Sequence, residues 1–190
     1  MKHACNAGPR GSSKLTIGML EFAVSDCATL INRIERAFAH RQKPKVVVVP
    51  HNPVDGDDED ALWFAGRDWR EIRSRDWNDY PSAYFRLTPE AYRYYLPSIL
   101  CHAARNPDEE LPAADSLLRE LDRSPSIAWW DQFLLDRLFG LGAEEHEVIK
   151  DWILMLSARA NFSEDALTRA YETVDLLQRQ TEKVRRLARP

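Results

Sequence analysis

Residues 84–100 read Tyr-Phe-Arg-Leu-Thr-Pro-Glu-Ala-Tyr-Arg-Tyr-Tyr-Leu-Pro-Ser-Ile-Leu, and no other stretch narrows the possible folds so far. Thr88 offers a capping hydroxyl, and Pro89 suits the first helical position, where an N–H would have no intrahelical partner. Glu90 faces the positive end of the helix dipole. A helix therefore starts here. Ala91, Tyr95, Ser98 and Ile99 share one side, and Tyr92, Leu96, Ile99 and Leu100 an overlapping one, so almost no polar face remains. Such a helix has to be buried or docked. Pro97 removes the N–H that would reach Arg93 and crowds that carbonyl, which predicts a kink or a break, with Arg93 and Tyr94 freed.

The chain has 190 residues, enough for one well-buried core and few for two. A net charge of −4 argues against a whole-domain surface for nucleic acid or anionic membrane. No apolar run approaches the roughly 20 residues needed to span a bilayer. The first residues lack an apolar core of the secretory type, so a cytoplasmic location is expected. Cys5, Cys27 and Cys101 are odd in number and widely spaced, which fits reduced thiols.

Residues 1–13 are small, polar and aperiodic and are expected to be a disordered leader; 14–180 form one helical domain, and 181–190 a basic tail. Residues 14–24 suit a strand or a helix equally. Cys27, Leu30, Ile31, Ile34, Ala37 and Phe38 recur at helical spacing and predict an amphipathic helix closed before Pro44. Four valines between Pro44 and Pro50 predict a small β element near 45–50. Residues 52–60 read as a solvated acidic turn, followed by a short helix from Asp60 that Gly66 ends, and 78–82 as another turn. Beyond Asn106-Pro107, apolar periods predict helices around Leu111–Leu121, Trp129–Leu138, Val148–Leu156 and from Ser163 onward. The fold class is mainly α: a single bundle-like domain with at most that one β element.

Three segments carry a family likeness. They are Ile31-x-x-Ile34-x-x-Ala37-Phe38, Phe64-x-Gly66-x-x-Trp69-x-x-Ile72, and the run Leu87-Thr-Pro-Glu-Ala-Tyr-Arg-Tyr-Tyr-Leu-Pro97. On these, residues 27–105 resemble an uncharacterised bacterial family, a domain of unknown function. The resemblance implies a shared module and carries no catalytic residue.

Candidate chemistry is sparse. Asp55, Asp57, Asp58, Glu59 and Asp60 could gather a hard cation, but the EF-hand order is absent and Gly56 comes too early. A solvated acidic segment that meets a basic partner fits better. His3, His40, His51, His102 and His146 show no zinc spacing; no Gly-rich phosphate loop or Gly-x-Ser-x-Gly elbow occurs. No metal and no cofactor are expected. Arg86, Tyr92, Arg93 and Tyr94 have the composition of an interaction hot spot, and equally of core aromatics with wet tips.

The sequence thus points to a non-catalytic protein–protein interaction module, of the immunity, antitoxin or accessory type. Asp55, Asp57, Asp58, Glu59, Arg86, Tyr92, Arg93 and Tyr94 are its candidate contacts with a basic protein partner. An enzyme assembled in three dimensions from His51, Asp55, Asp57, Arg93 and Tyr94 is the first alternative. Weak nucleic-acid binding through Lys183–Arg189 is the second.

Overall fold

The computed structural model describes residues 27–48, 57–106, 109–157 and 162–187. The leader, residues 14–24, His51 and Asp55 lie outside them. Among the described residues nine α-helices follow in order: α1 Cys27–Phe38, α2 Asp57–Trp63, α3 Ser74–Asp79, α4 Ala83–Arg86, α5 Pro89–Arg105, α6 Pro112–Leu121, α7 Gln132–Leu138, α8 Ala143–Ser157 and α9 Glu164–Leu187. None is long and apolar enough to cross a membrane.

α5 is the axis. It packs against α1, α6, α7 and α8, while α9 covers α8 and α6, and α2 pairs with α4. The all-round apolar pattern requires this: Tyr92, Tyr95, Leu96, Ile99 and Leu100 are all at most 1% exposed. Of the kink or break expected at Pro97, the break does not occur, and α5 runs through it. Every residue from Tyr94 to Cys101 is buried, so tertiary packing outweighs the lost backbone bond. The side chains add one polar tie there. Ser98 Oγ donates to the Tyr95 carbonyl at 2.7 Å and accepts from Trp77 Nε1 at 3.0 Å.

In its described residues, up to Val48, the valine segment is a clasp and not a strand. Val48 and Leu87 form an isolated antiparallel bridge, and Thr88 N donates to the Val47 carbonyl at 2.8 Å. Thr88 Oγ1 accepts from Ala91 N at 3.2 Å and donates to the Val46 carbonyl at 3.0 Å. One hydroxyl thus caps α5 and holds the incoming chain. Thr88→Ala is expected to cost about 1–2 kcal/mol and Thr88→Ser much less, read from urea unfolding; equal loss in both would put the effect in the methyl group.

Other boundaries differ from expectation for local reasons. α2 begins at Asp57, so Asp58, Glu59 and Asp60, which read as part of a turn, occupy a helical first turn, where the dipole favours them. The helix expected to run up to Gly66 ends at Trp63, and Gly66, at φ 75°, closes the turn that follows. Residues 74–86 form two helices, each too short to show a period. α7 starts after Asp131, whose Oδ1 accepts from Leu134 N at 2.8 Å, with Ile127–Trp129 left as a 3₁₀ turn. As far as Leu187, the last described residue, the basic segment from 181 is the continuation of α9: Thr181 is buried and donates to the Phe139 carbonyl at 3.2 Å. Cys27, expected in the core, is only half-buried. Cys101 is buried, and burial pushes its thiol up to about 12.

Candidate interaction surface at the corner of α2, α4 and α7

The acidic turn of α2 is committed to the chain itself. Asp58 Oδ1 accepts from Arg86 Nε at 2.9 Å and Nη2 at 2.6 Å, and Asp60 Oδ2 accepts from Ser82 N at 3.0 Å. Two carboxylates therefore fasten α4 to α2, one at each end of α4. Of the remaining acidic candidates Glu59 is exposed.

The clamp presents the outer side of α4. Phe85 is 56% exposed and Phe133, on α7, is 42% exposed. Between them lies a hollow of about 250 Å³ that includes Arg86, Thr88 and Asp136. It is smaller than the usual range for small-molecule sites, about 300–1,000 Å³. Val46, 57% exposed, stands beside it through the Thr88 clasp. The charges at the hollow are already engaged: Arg86 by Asp58, and Asp136 Oδ1 by Gln132 Nε2 at 2.6 Å. What remains for a partner is two half-exposed aromatic rings with a fixed polar surround.

Beneath the hollow is a sealed polar cluster joining α4, α5, α6 and α7. Arg137 and Glu120 are 1% and 6% exposed, and their nearest charged atoms are 3.7 Å apart. The Tyr84 hydroxyl donates to Glu120 Oε2 and lies 3.1 Å from the Tyr92 hydroxyl. The Arg137 guanidinium is sandwiched by rings, 3.7 Å from the Phe133 centroid and 4.4 Å from that of Tyr92. Burial raises the Glu120 carboxyl, against the opposing pull of Arg137 and the Tyr84 hydrogen bond. Burial also holds both phenols well above their usual range, so they stay protonated. Neither Arg137 Nη atom makes a hydrogen bond, so the ring faces and the distant carboxylate are its compensation. The cluster lacks solvent access and serves to hold Phe133 over Arg137.

The other sequence candidates have structural duties. Tyr92 belongs to the sealed cluster, and Tyr94 is 3% exposed, its phenol raised by burial next to Asp68. Arg93 is half-buried and Nη1 donates to the Asp136 and Arg137 carbonyls at 2.6 and 3.2 Å, satisfying the end of α7. A Cβ at Gly140 would sit 2.9 Å from Arg93 Cζ, so glycine there makes room for the guanidinium. Along α9 Arg179 pairs with Asp175 at 2.7 Å, and Arg186 lies 3.8 Å from Glu182. Among the described residues no group of three or more His, Cys, Asp or Glu side chains converges as metal ligands would.

Sequence reasoning missed Phe85, Phe133, Glu120 and Arg137. A signal existed for the last two. Glu120 falls on the apolar stripe of Ala113, Leu117 and Leu121, and Arg137 on that of Leu134 and Leu138. A charge inside a buried stripe asks for a partner. No protein-family model, curated protein or solved structure matches the chain.

Proposed function

We propose that this is a non-catalytic interaction module that recognises a protein partner through Phe85 and Phe133. The observation that supports it most is the exposure of these two rings across a hollow whose charged groups are internally paired. Exposed aromatics on a rigid, prepaid frame lose little entropy on docking, which is how interface anchors work. Exposed Glu59 and Asp131 and a net charge of −4 favour a basic partner by steering. That is the electrostatic profile of an immunity or antitoxin-like protein, or of an accessory protein, in a bacterial cytoplasm.

The test is affinity capture from the source organism's lysate with wild type, Phe85→Asp/Phe133→Asp, and Glu59→Lys as a control for charge alone. A stoichiometric protein retained by wild type, lost at least tenfold with the aromatic pair and weakened only modestly by Glu59→Lys is the expected result. Equal capture by wild type and the aromatic variant, with unchanged circular dichroism, would sink this surface as the interface.

A further inference from the structure

We infer that copies of this chain associate head to tail, the basic end of α9 from one copy seating in an acidic-rimmed groove of the next. The inference is independent of the surface at Phe85 and Phe133.

The groove has a volume of about 340 Å³ and opens where α6 meets the ends of α5 and α8 and the start of α9. Leu156, Phe162 and Leu167 give it an apolar floor. Its rim carries Glu109, Glu110 and Asp115 against Arg119. Asp122, also at the rim, is already bound by Arg169 at 2.5 Å. An apolar trough with excess carboxylates selects a helix or segment that alternates apolar residues with cations.

The far end of α9 has that chemistry. Val184 and Leu187 are 49% and 79% exposed, one turn apart on the same side. Lys183, Arg185 and Arg186 around them are exposed as well. Arg185 reaches the Leu141 carbonyl only at 3.4 Å, and Arg186 lies 3.8 Å from Glu182. Exposed contacts of this kind are weak and readily exchanged. Among the described residues nothing covers these two large aliphatic side chains, which stand in solvent beside three cations.

One copy cannot satisfy both ends. Leu167 and Leu187 are held about 30 Å apart by continuous helix, so the tail cannot fold back into its own groove. The pairing is therefore between copies and heterologous: each molecule offers one groove and one tail, and the assembly extends unless its rotation closes a ring. A single helix end buries less than the roughly 1,600 Å² of a standard interface, so association belongs in the micromolar range or weaker.

Sedimentation velocity on the full chain, from micromolar to low-millimolar concentration, tests this. Wild type should sediment faster with concentration, and salt should weaken the effect. Val184→Asp/Leu187→Asp, Glu109→Lys/Glu110→Lys and Lys183→Glu/Arg186→Glu each alter exposed side chains, so they should fold normally and stay monomeric, with affinity reduced about tenfold or more. The two charge-reversed variants should restore each other when mixed, because each groove is then opposite in charge to the other variant's tail, and the mixture should extend as alternating copies. Val184→Asp/Leu187→Asp mixed with Glu109→Lys/Glu110→Lys should stop at a heterodimer, because only one groove and one tail then match. Wild type that remains monomeric throughout would overturn the inference, as a groove filled within one copy or by another protein would produce. Self-association that all three variants retain would overturn it too, by placing the contact elsewhere.

Discussion

Replacing Arg137 with methionine is expected to destabilise the protein by about 3–5 kcal/mol at neutral pH, because it strands the Glu120 carboxylate inside the protein. Both side chains are almost fully buried, and Arg137 is the largest influence opposing the rise that burial imposes on Glu120. Without the guanidinium the folded-state value of that carboxyl climbs further above its ordinary 4.5. A group with a raised folded value binds protons more readily in the folded state than in the unfolded state. Its penalty is absent below the unfolded value and grows as pH rises through the folded one. The Arg137→Met loss should therefore be smallest near about pH 4 and increase toward neutrality, measured by urea unfolding across that range. Glu120→Leu/Arg137→Met removes both charges and should recover much of the loss. It still takes the Glu120 acceptor from the Tyr84 hydroxyl, which keeps only the Tyr92 hydroxyl at 3.1 Å, at about 1 kcal/mol. A penalty that does not vary with pH would show that Arg137 matters for its volume and ring contacts and not for its charge.

Trp77→Ala is the second large effect, expected at about 3–5 kcal/mol, or a fall in Tm of roughly 6–20 °C. Trp77 is 1% exposed and rests against Phe64, ring centroids 4.6 Å apart. Its indole N–H is also the donor to Ser98 Oγ. Removal opens a cavity where α3 meets the middle of α5 and leaves the Ser98 oxygen with no donor from outside its helix. Trp77→Phe keeps most of the volume and loses the hydrogen bond, so about 1–2 kcal/mol is expected. Ser98→Ala in the Trp77→Phe background should then add little, since the pair is already broken. Full additivity of the two would mean that the 3.0 Å contact carries no coupling.

Residues whose meaning is local were legible in the sequence. Thr88-Pro89-Glu90 announces the start of α5, and the periods of α1, α6, α8 and α9 place those helices to within a few residues. α3 and α4 left no trace, because six and four residues complete too little of a turn pattern to stand out. Asp58 and Asp60 read as a solvated acidic surface because a carboxylate run looks the same whether it faces water or clamps a neighbour. Only the fold brings Arg86 and the Ser82 N–H to them. Tyr92 and Arg93 have a hot-spot composition, yet burial turns one into a cluster member and the other into a helix cap. Phe85 and Phe133 gave no warning, since exposure of an aromatic ring is decided by what fails to cover it.

The position of α1 sets an order of events as the chain is made. Its buried stripe of Leu30, Ile34, Ala37 and Phe38 is covered by α5 and α8, and the following Arg41 is bound by Glu145 at 2.5 Å, 104 residues later. During synthesis at about 5–20 residues per second, α1 waits roughly 5–25 s for α8 to be added. Through that interval an amphipathic helix with an uncovered face is in the cell, with α5 as its first shelter. The nascent chain, more than the finished one, is where this molecule has most need of a chaperone.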